Sequence, residues 1–230
     1  MNAQTALGTP TPVSVSAYAW VPDIARGFVR DMRVRWALEE VGLPYDAQLI
    51  KLEDKTAYRA WQPFGQVPAY DDGEVRMFES GAIVLHIAEQ HEALMPRDPA
   101  GRARVQTWIF CALNTMEIPI AMLNELNIFC AGQDWTEGHR PRVEGWVRMR
   151  LGELSARLGD SPYLDGERFT AGDLMMADVL RTVPKEILGE QPNLAAYVER
   201  CTSRPAYQKA MAAQMADFTG SPPEGWGQAQ

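Results

Sequence analysis

The sequence predicts a small α/β domain followed by an all-helical domain. Three patterns carry this reading. Apolar residues alternate with period two near the start, further strand-like segments follow before Phe78, and from Arg102 onward only helical spacing is found. Residues 1–12, rich in Thr, Pro and Gly, read as a flexible tail. From Val13, Val15, Ala17 and Ala19 face one side while Ser14, Ser16, Tyr18 and Trp20 face the other, which is a strand. After a loop through Pro22, Val29–Val41 has helical spacing at Val29, Met32, Trp36 and Leu38, and Gly42 is its stop signal.

Pro44 to Ile50 reads as a second strand. A short, weakly patterned piece at Lys55–Trp61 precedes a hairpin over Val67–Phe78, turned by Asp71-Asp72-Gly73. Ser80–Gln90 puts Ile83, Val84, Ile87 and Ala88 on one helix face. Strand, helix, strand, short helix, hairpin and helix make a thioredoxin-like order, with a right-handed crossover between parallel strands. This gives a domain over residues 13–92, a linker at 93–101 marked by Pro96 and Pro99, an all-α domain over 102–218, and a second flexible tail at 219–230. Within the helical part, Phe169-Thr170-Ala171-Gly172-Asp173-Leu174 is a helix start. Thr170 is the N-cap, Asp173 completes a capping box, and Phe169 and Leu174 form a staple pair. Its role is structural.

Composition narrows the function. A formal net charge of -8 argues against a nucleic-acid surface, which needs clustered Lys and Arg. Arg26 to Arg35 is the local exception, with four arginines against Asp31, and reads as the wet face of a helix. No apolar run is long enough to span a bilayer, and the start lacks the basic and apolar regions of a secretory signal. Cys111, Cys130 and Cys201 are odd in number and far apart, as free thiols in a reducing compartment are, so a cytoplasmic location is expected. No Cys-x-x-Cys supports dithiol chemistry, and His86, His91 and His139 form no spaced cluster, so no metal site is expected.

The most informative stretch is Gly65-Gln66-Val67-Pro68-Ala69-Tyr70, followed by Glu79-Ser80-Gly81-Ala82-Ile83. A strand entered through proline and a helix opening on a carboxylate and a hydroxyl, in this order and spacing, resemble the tripeptide-binding half of a glutathione transferase. With the two-part plan, the resemblance spans residues 13 to 215. It implies a cis Val67–Pro68 bond whose Val67 N–H and C=O pair with the cysteinyl backbone of glutathione as an added strand. It also implies that the Ser80 helix start receives the γ-glutamyl carboxylate, that Glu79 accepts from the α-ammonium, and that Gln66 donates to the glycyl carboxylate. Similar proteins often carry Lys at Gln66, which leaves that charge to Lys51, Arg26 or Arg30.

The thiol activator is less legible. A free thiol titrates near about 8.5, so a donor must favour the thiolate. The family supplies Tyr, Ser or Cys after the first strand. Between Ala17 and Phe78 the chain has no Ser and no Cys, and the usual place of such a residue falls near Phe28. Tyr18 is the candidate catalytic donor. Trp20 or Arg26 contacting glutathione, and a backbone N–H near Gly27–Val29, stand beside it. Trp108, Met116 and Met122 are candidates for an apolar co-substrate pocket, against an ordinary reading as core. Cys111 reads as core.

The resemblance thus implies a homodimeric detoxification transferase that conjugates glutathione, its co-substrate, to a small electrophile. A glutathione-dependent isomerase or dehalogenase would use the same site. The alternatives are a binding or regulatory protein that keeps the fold without catalysis, and a thiol–disulfide reductase.

Overall fold

The structure, a computed structural model, describes residues 13–52 and 55–226. The tail expected at 1–12 lies outside them, as do 227–230 of the C-terminal tail. Strand β1 (Val13–Tyr18) leads through a 3-10 turn (Asp23–Ala25) into α1 (Asp31–Val41), then β2 (Tyr45–Ile50). A second 3-10 turn (Tyr58–Ala60) precedes β3 (Ala69–Asp71), β4 (Arg76–Phe78) and α2 (Ser80–Gln90). The sheet has the order β2-β1-β3-β4. β1 and β2 are parallel with Val13 opposite Tyr45, β1 and β3 antiparallel with Val15 opposite Tyr70, and β3 and β4 antiparallel. Gly42 ends α1 at φ 70, the left-handed stop expected of it.

The helical half comprises α3 (Pro99–Phe110), α4 (Glu117–Asn124), α5 (Asp134–Leu158), α6 (Ala171–Leu180), α7 (Lys185–Leu188), α8 (Pro192–Thr202) and α9 (Pro205–Asp217). A π-helical turn at Cys111–Met116 joins α3 to α4, and another at Glu125–Phe129 follows α4. Pro119 explains the first: it has no N–H to offer the carbonyl four residues back, so the α pattern cannot run through unbroken. Every residue of α6 is buried, and its start is the expected capping box. Thr170 Oγ1 accepts from the Gly172 N–H at 3.2 Å, and Asp173 accepts from the Thr170 N–H at 2.9 Å.

One continuous core runs from Val15 and Trp36 through Ile109, Leu123, Met175 and Tyr197 to Ala210. The two halves are therefore packed as a unit. Trp36, fully buried on α1, stacks on Phe169 and Tyr207 of the helical half, and Arg204 clamps Glu40 at 2.6 and 2.7 Å.

Several expectations need correction. The Asp71-Asp72-Gly73 turn is a four-residue connection, 72–75, because Asp72 Oδ1 accepts from the Glu74 and Val75 N–H groups and widens it. The 93–101 linker ends early: α3 begins at Pro99, where Asp98 caps the Gly101 N–H at 2.7 Å. Leu94 in that linker is buried and accepts from the Ala171 N–H at 2.9 Å. The described part of the 219–230 tail is held to the first strand's end, with the Gly220 N–H on the Ala19 carbonyl at 2.9 Å and Trp226 against Trp20 at 5.1 Å. The arginine-rich stretch is a wet face only in part: Arg30 is exposed, whereas the arginines inside α1 are not. Arg33 and Arg35 are 3% and 1% exposed because each meets carboxylates within the fold. Among the described residues, no helix is long and apolar enough to cross a membrane.

Candidate active site

The site begins with a turn that leaves part of its backbone unpaired. Val67–Pro68 is cis, and Val67 is 7% exposed. Proline removes one N–H from this segment, and sheet pairing to β1 starts only at Tyr70. Neither the Val67 N–H nor its C=O has a partner among the described residues. A buried backbone pair left open in this way is a docking edge for another extended chain. Gly65, at φ 65, makes the tight approach, since a side chain there would press on Lys55 and Arg59. Phe64 and Phe78, with rings 6.0 Å apart, set this turn beside the entrance to α2.

That entrance is also unusual. Glu79 has φ 72 and ψ 108, a costly conformation for a residue with a side chain. It is exposed and makes no capping hydrogen bond, so it is not an ordinary N-cap. Ser80 is buried, and its hydroxyl accepts from Arg33 Nη1 at 3.2 Å. The first N–H groups of α2 and its dipole remain to attract an anion.

Between the halves lies a cleft of about 730 Å³. Tyr18, Gln66 and Val67 line it from the first domain. The Tyr18 hydroxyl donates to the Gly65 carbonyl at 3.3 Å and accepts from Lys55 Nζ at 3.0 Å. The Lys55 ammonium also sits 4.9 Å from the Tyr18 ring centre. Phe28, near which an activating hydroxyl is expected, faces the cleft with its ring 4.9 Å from the Arg181 guanidinium. The Phe28 N–H is already bonded to the Ala25 carbonyl at 3.0 Å.

Trp20 and Arg26 are held by other partners: Trp20 packs on Trp226, while Arg26 pairs with Asp23 at 3.2 Å and lies over Phe218. Neither lines the cleft; nor do Glu79 and Ser80, which stand at the α2 entrance, nor Trp108, Met116 or Met122. Met116 is core, and Trp108 stacks under Arg157. The apolar wall is instead built from Ile24, Phe28, Ile120, Ile128, Phe129 and Val183. Cys111 is half-buried, and burial pushes its thiol up, which does not favour a reactive thiolate.

The cleft floor is ionic. Arg33 Nε donates to Asp178 at 2.6 Å, and its other nitrogens reach Glu117 at 3.0 and 3.3 Å. Arg181 pairs with Asp178 at 2.7 Å and Arg30 with Glu117 at 2.9 Å. Burial alone would push both carboxyls up. The facing guanidiniums outweigh it and hold Asp178 and Glu117 below the usual carboxylate range. Since Arg33 also holds Ser80, this network ties the α2 entrance to the helical half. The sequence carried one signal of it: Asp178 is a charge inside the otherwise apolar run Leu174–Leu180, and a charge there needs a buried partner.

Comparison with known proteins agrees with this geometry. Residues 31–97 match the family model for the glutathione S-transferase N-terminal domain, and 121–205 match that for its C-terminal domain. The chain is 31% identical to Glutathione S-transferase F14 of Arabidopsis thaliana over 196 residues, 76% of each chain. It is 28% identical to a glutathione S-transferase of Hyoscyamus muticus, covering 78% of this chain and 92% of that one. Among solved structures, a glutathione transferase of Burkholderia graminis, with two glutathione molecules bound per subunit, superimposes with a TM-score of 0.78 at 20% identity over 88% of each chain. The theta class enzyme of Xanthomonas axonopodis pv. citri, with glutathione bound, gives 0.71 at 26% identity over 88% of this chain and 98% of that one. An open peptide edge just before a cis-proline, a strained acidic residue before a buried serine, and these matches over both halves place the chain in the glutathione S-transferase family.

Proposed function

We propose that the protein is an active glutathione transferase that conjugates glutathione to an apolar electrophile held between its two domains. The observation that carries this is the unpartnered Val67 edge, which opens on the cleft that Tyr18 and Gln66 also line. The cysteinyl backbone pairs with Val67. The γ-glutamyl carboxylate meets the α2 N-terminus at Ser80, and Glu79 accepts from the ammonium. Gln66 donates to the glycyl carboxylate. Tyr18 donates its hydroxyl hydrogen bond to the sulfur in place of Gly65, and Lys55 fixes the phenol's orientation through the second bond to its oxygen. Glutathione is the nucleophile, so the chain contributes binding, orientation and stabilisation of the thiolate. Ile24, Phe28, Ile120 and Phe129 desolvate the electrophile beside it.

Two copies are proposed to pair, supported by Phe64 and Phe110, which are 63% and 54% exposed on a single chain. Detoxification in the cytoplasm fits the free, unpaired cysteines. Calorimetric titration with glutathione, followed by turnover of a generic aryl halide, tests the reading. Saturable binding with turnover is expected. Tyr18→Phe is expected to lower kcat by roughly a hundredfold while glutathione still binds. Binding without turnover in the wild type would assign the non-catalytic role instead, and full turnover in the variant would remove Tyr18 as donor.

A further inference from the structure

The turn that offers the Val67 edge is held from behind by two hydroxyls outside the cleft. Ser16, fully buried on β1, accepts the Ala69 N–H on its Oγ at 2.7 Å. The same Oγ lies 2.6 Å from the Tyr58 hydroxyl. Tyr58 donates to the Gln66 carbonyl at 2.7 Å. Each hydroxyl has one proton. Because the phenol proton is committed to Gln66, the proton between the two oxygens is that of Ser16. The relay therefore has one direction: Ala69 N–H to Ser16, Ser16 to Tyr58, Tyr58 to the Gln66 carbonyl.

Its two ends grip the backbone on either side of Val67 and Pro68. Pro68 has no N–H with which to anchor itself, and Val67 must keep both of its groups open for a ligand. Among the described residues, the two between the grips have no backbone bond of their own, and the relay fixes the flanking groups. Burial pushes the Tyr58 phenol up to about 12, so it remains a donor across the physiological range. Trp61, at 6.0 Å, and the Val67 and Ala69 side chains pack around the Tyr58 ring, which fixes where the hydroxyl points.

We infer that Ser16 and Tyr58 are positioning residues for glutathione: neither lines the cleft, and together they set the spacing and orientation of the Val67 edge. This rests on the reading of that edge as the glutathione site. A relay of this kind moves glutathione affinity and leaves the chemistry of bound glutathione alone. A merely structural contact would lower stability and leave affinity unchanged.

The test uses Tyr58→Phe, which keeps the ring and removes only the hydroxyl, together with Ser16→Ala and the double variant. Glutathione Kd by calorimetry and glutathione KM are expected to rise roughly five- to tenfold in each single variant. The kcat at saturating glutathione and the KM for the aryl halide are expected to stay within about twofold of wild type. The double variant is expected to be no worse than the weaker-binding single one, because both break the same relay. A folded Tyr58→Phe protein whose glutathione KM moves less than twofold overturns the relay while the wild-type titration still supports the site. A kcat loss without a KM change also overturns it. A wild type that binds no glutathione overturns the site and the relay together. If Ser16→Ala does not fold, Tyr58→Phe alone decides.

Discussion

Arg33→Met is the sharpest test of the ionic floor between the domains. The Arg33 side chain is 4% exposed and bonds Asp178 at 2.6 Å, Glu117 at 3.0 Å and Ser80 at 3.2 Å. Methionine keeps most of the stem and deletes the charge. Removing one partner of a buried pair costs about 3–5 kcal/mol, because the remaining charge is left without compensation. Here Asp178 keeps Arg181 and Glu117 keeps Arg30, so the low end, about 3 kcal/mol, is expected. For a chain of this size that lowers Tm by roughly 6–12 °C in calorimetry at pH 7. The pH dependence gives a second readout. Asp178 and Glu117 are held below their ordinary values, so the stability they contribute is present above about pH 4 and lost as pH falls through the depressed values. The gap between wild type and Arg33→Met should therefore narrow on acidification. A Tm shift under about 2 °C at neutral pH, or a gap that stays constant toward pH 3, would refute the reasoning.

Two further substitutions probe the scaffold. Asp173→Ala should destabilise by about 3 kcal/mol in denaturant unfolding, because the lost carboxylate strands the buried Leu164 and Thr170 N–H groups and leaves the Tyr197 hydroxyl only the residue-173 carbonyl. Asp31 is different: burial outweighs Arg35 and Gln214 and raises its carboxyl to about 6. A raised carboxyl binds its proton more tightly in the folded state than in the unfolded one. Wild type should thus lose stability relative to Asp31→Asn as pH rises from 4 to 7, by at most about 3 kcal/mol in paired urea titrations.

The element order was legible because period follows local backbone geometry: Val15 and Ala17 alternate with Ser14 and Ser16 along β1, and Met32 and Trp36 recur one turn apart on α1, even though the polar Ser16 is buried as well. The Val67 turn and the Thr170–Asp173 cap were legible because proline and a short polar side chain act locally, within a few residues. What was not legible depends on partners far away in sequence. Arg33 and Arg35 look like solvent-facing charges until Asp178, Glu117 and Asp217 are folded against them. Trp20 and Arg26 sat at the right distance along the chain, and Trp226 and Phe218, some two hundred residues on, engage their side chains instead. The apolar wall was misplaced for a related reason: Trp108 and Met116 precede or end the first π turn, and the phase change there exchanges which residues of α3 and α4 face inward.

Those π turns carry an evolutionary implication. The helical rod from Pro99 to Phe129 twice holds a wider loop of backbone than an α-helix needs. Dropping one residue inside 111–116 would let that stretch relax to ordinary α geometry while the ends keep their facing. The rod thus has two places where length can change by one without dismantling the core. The second contains Ile128 and Phe129, so drift in length there would remodel the apolar wall of the cleft and leave the Val67 edge untouched.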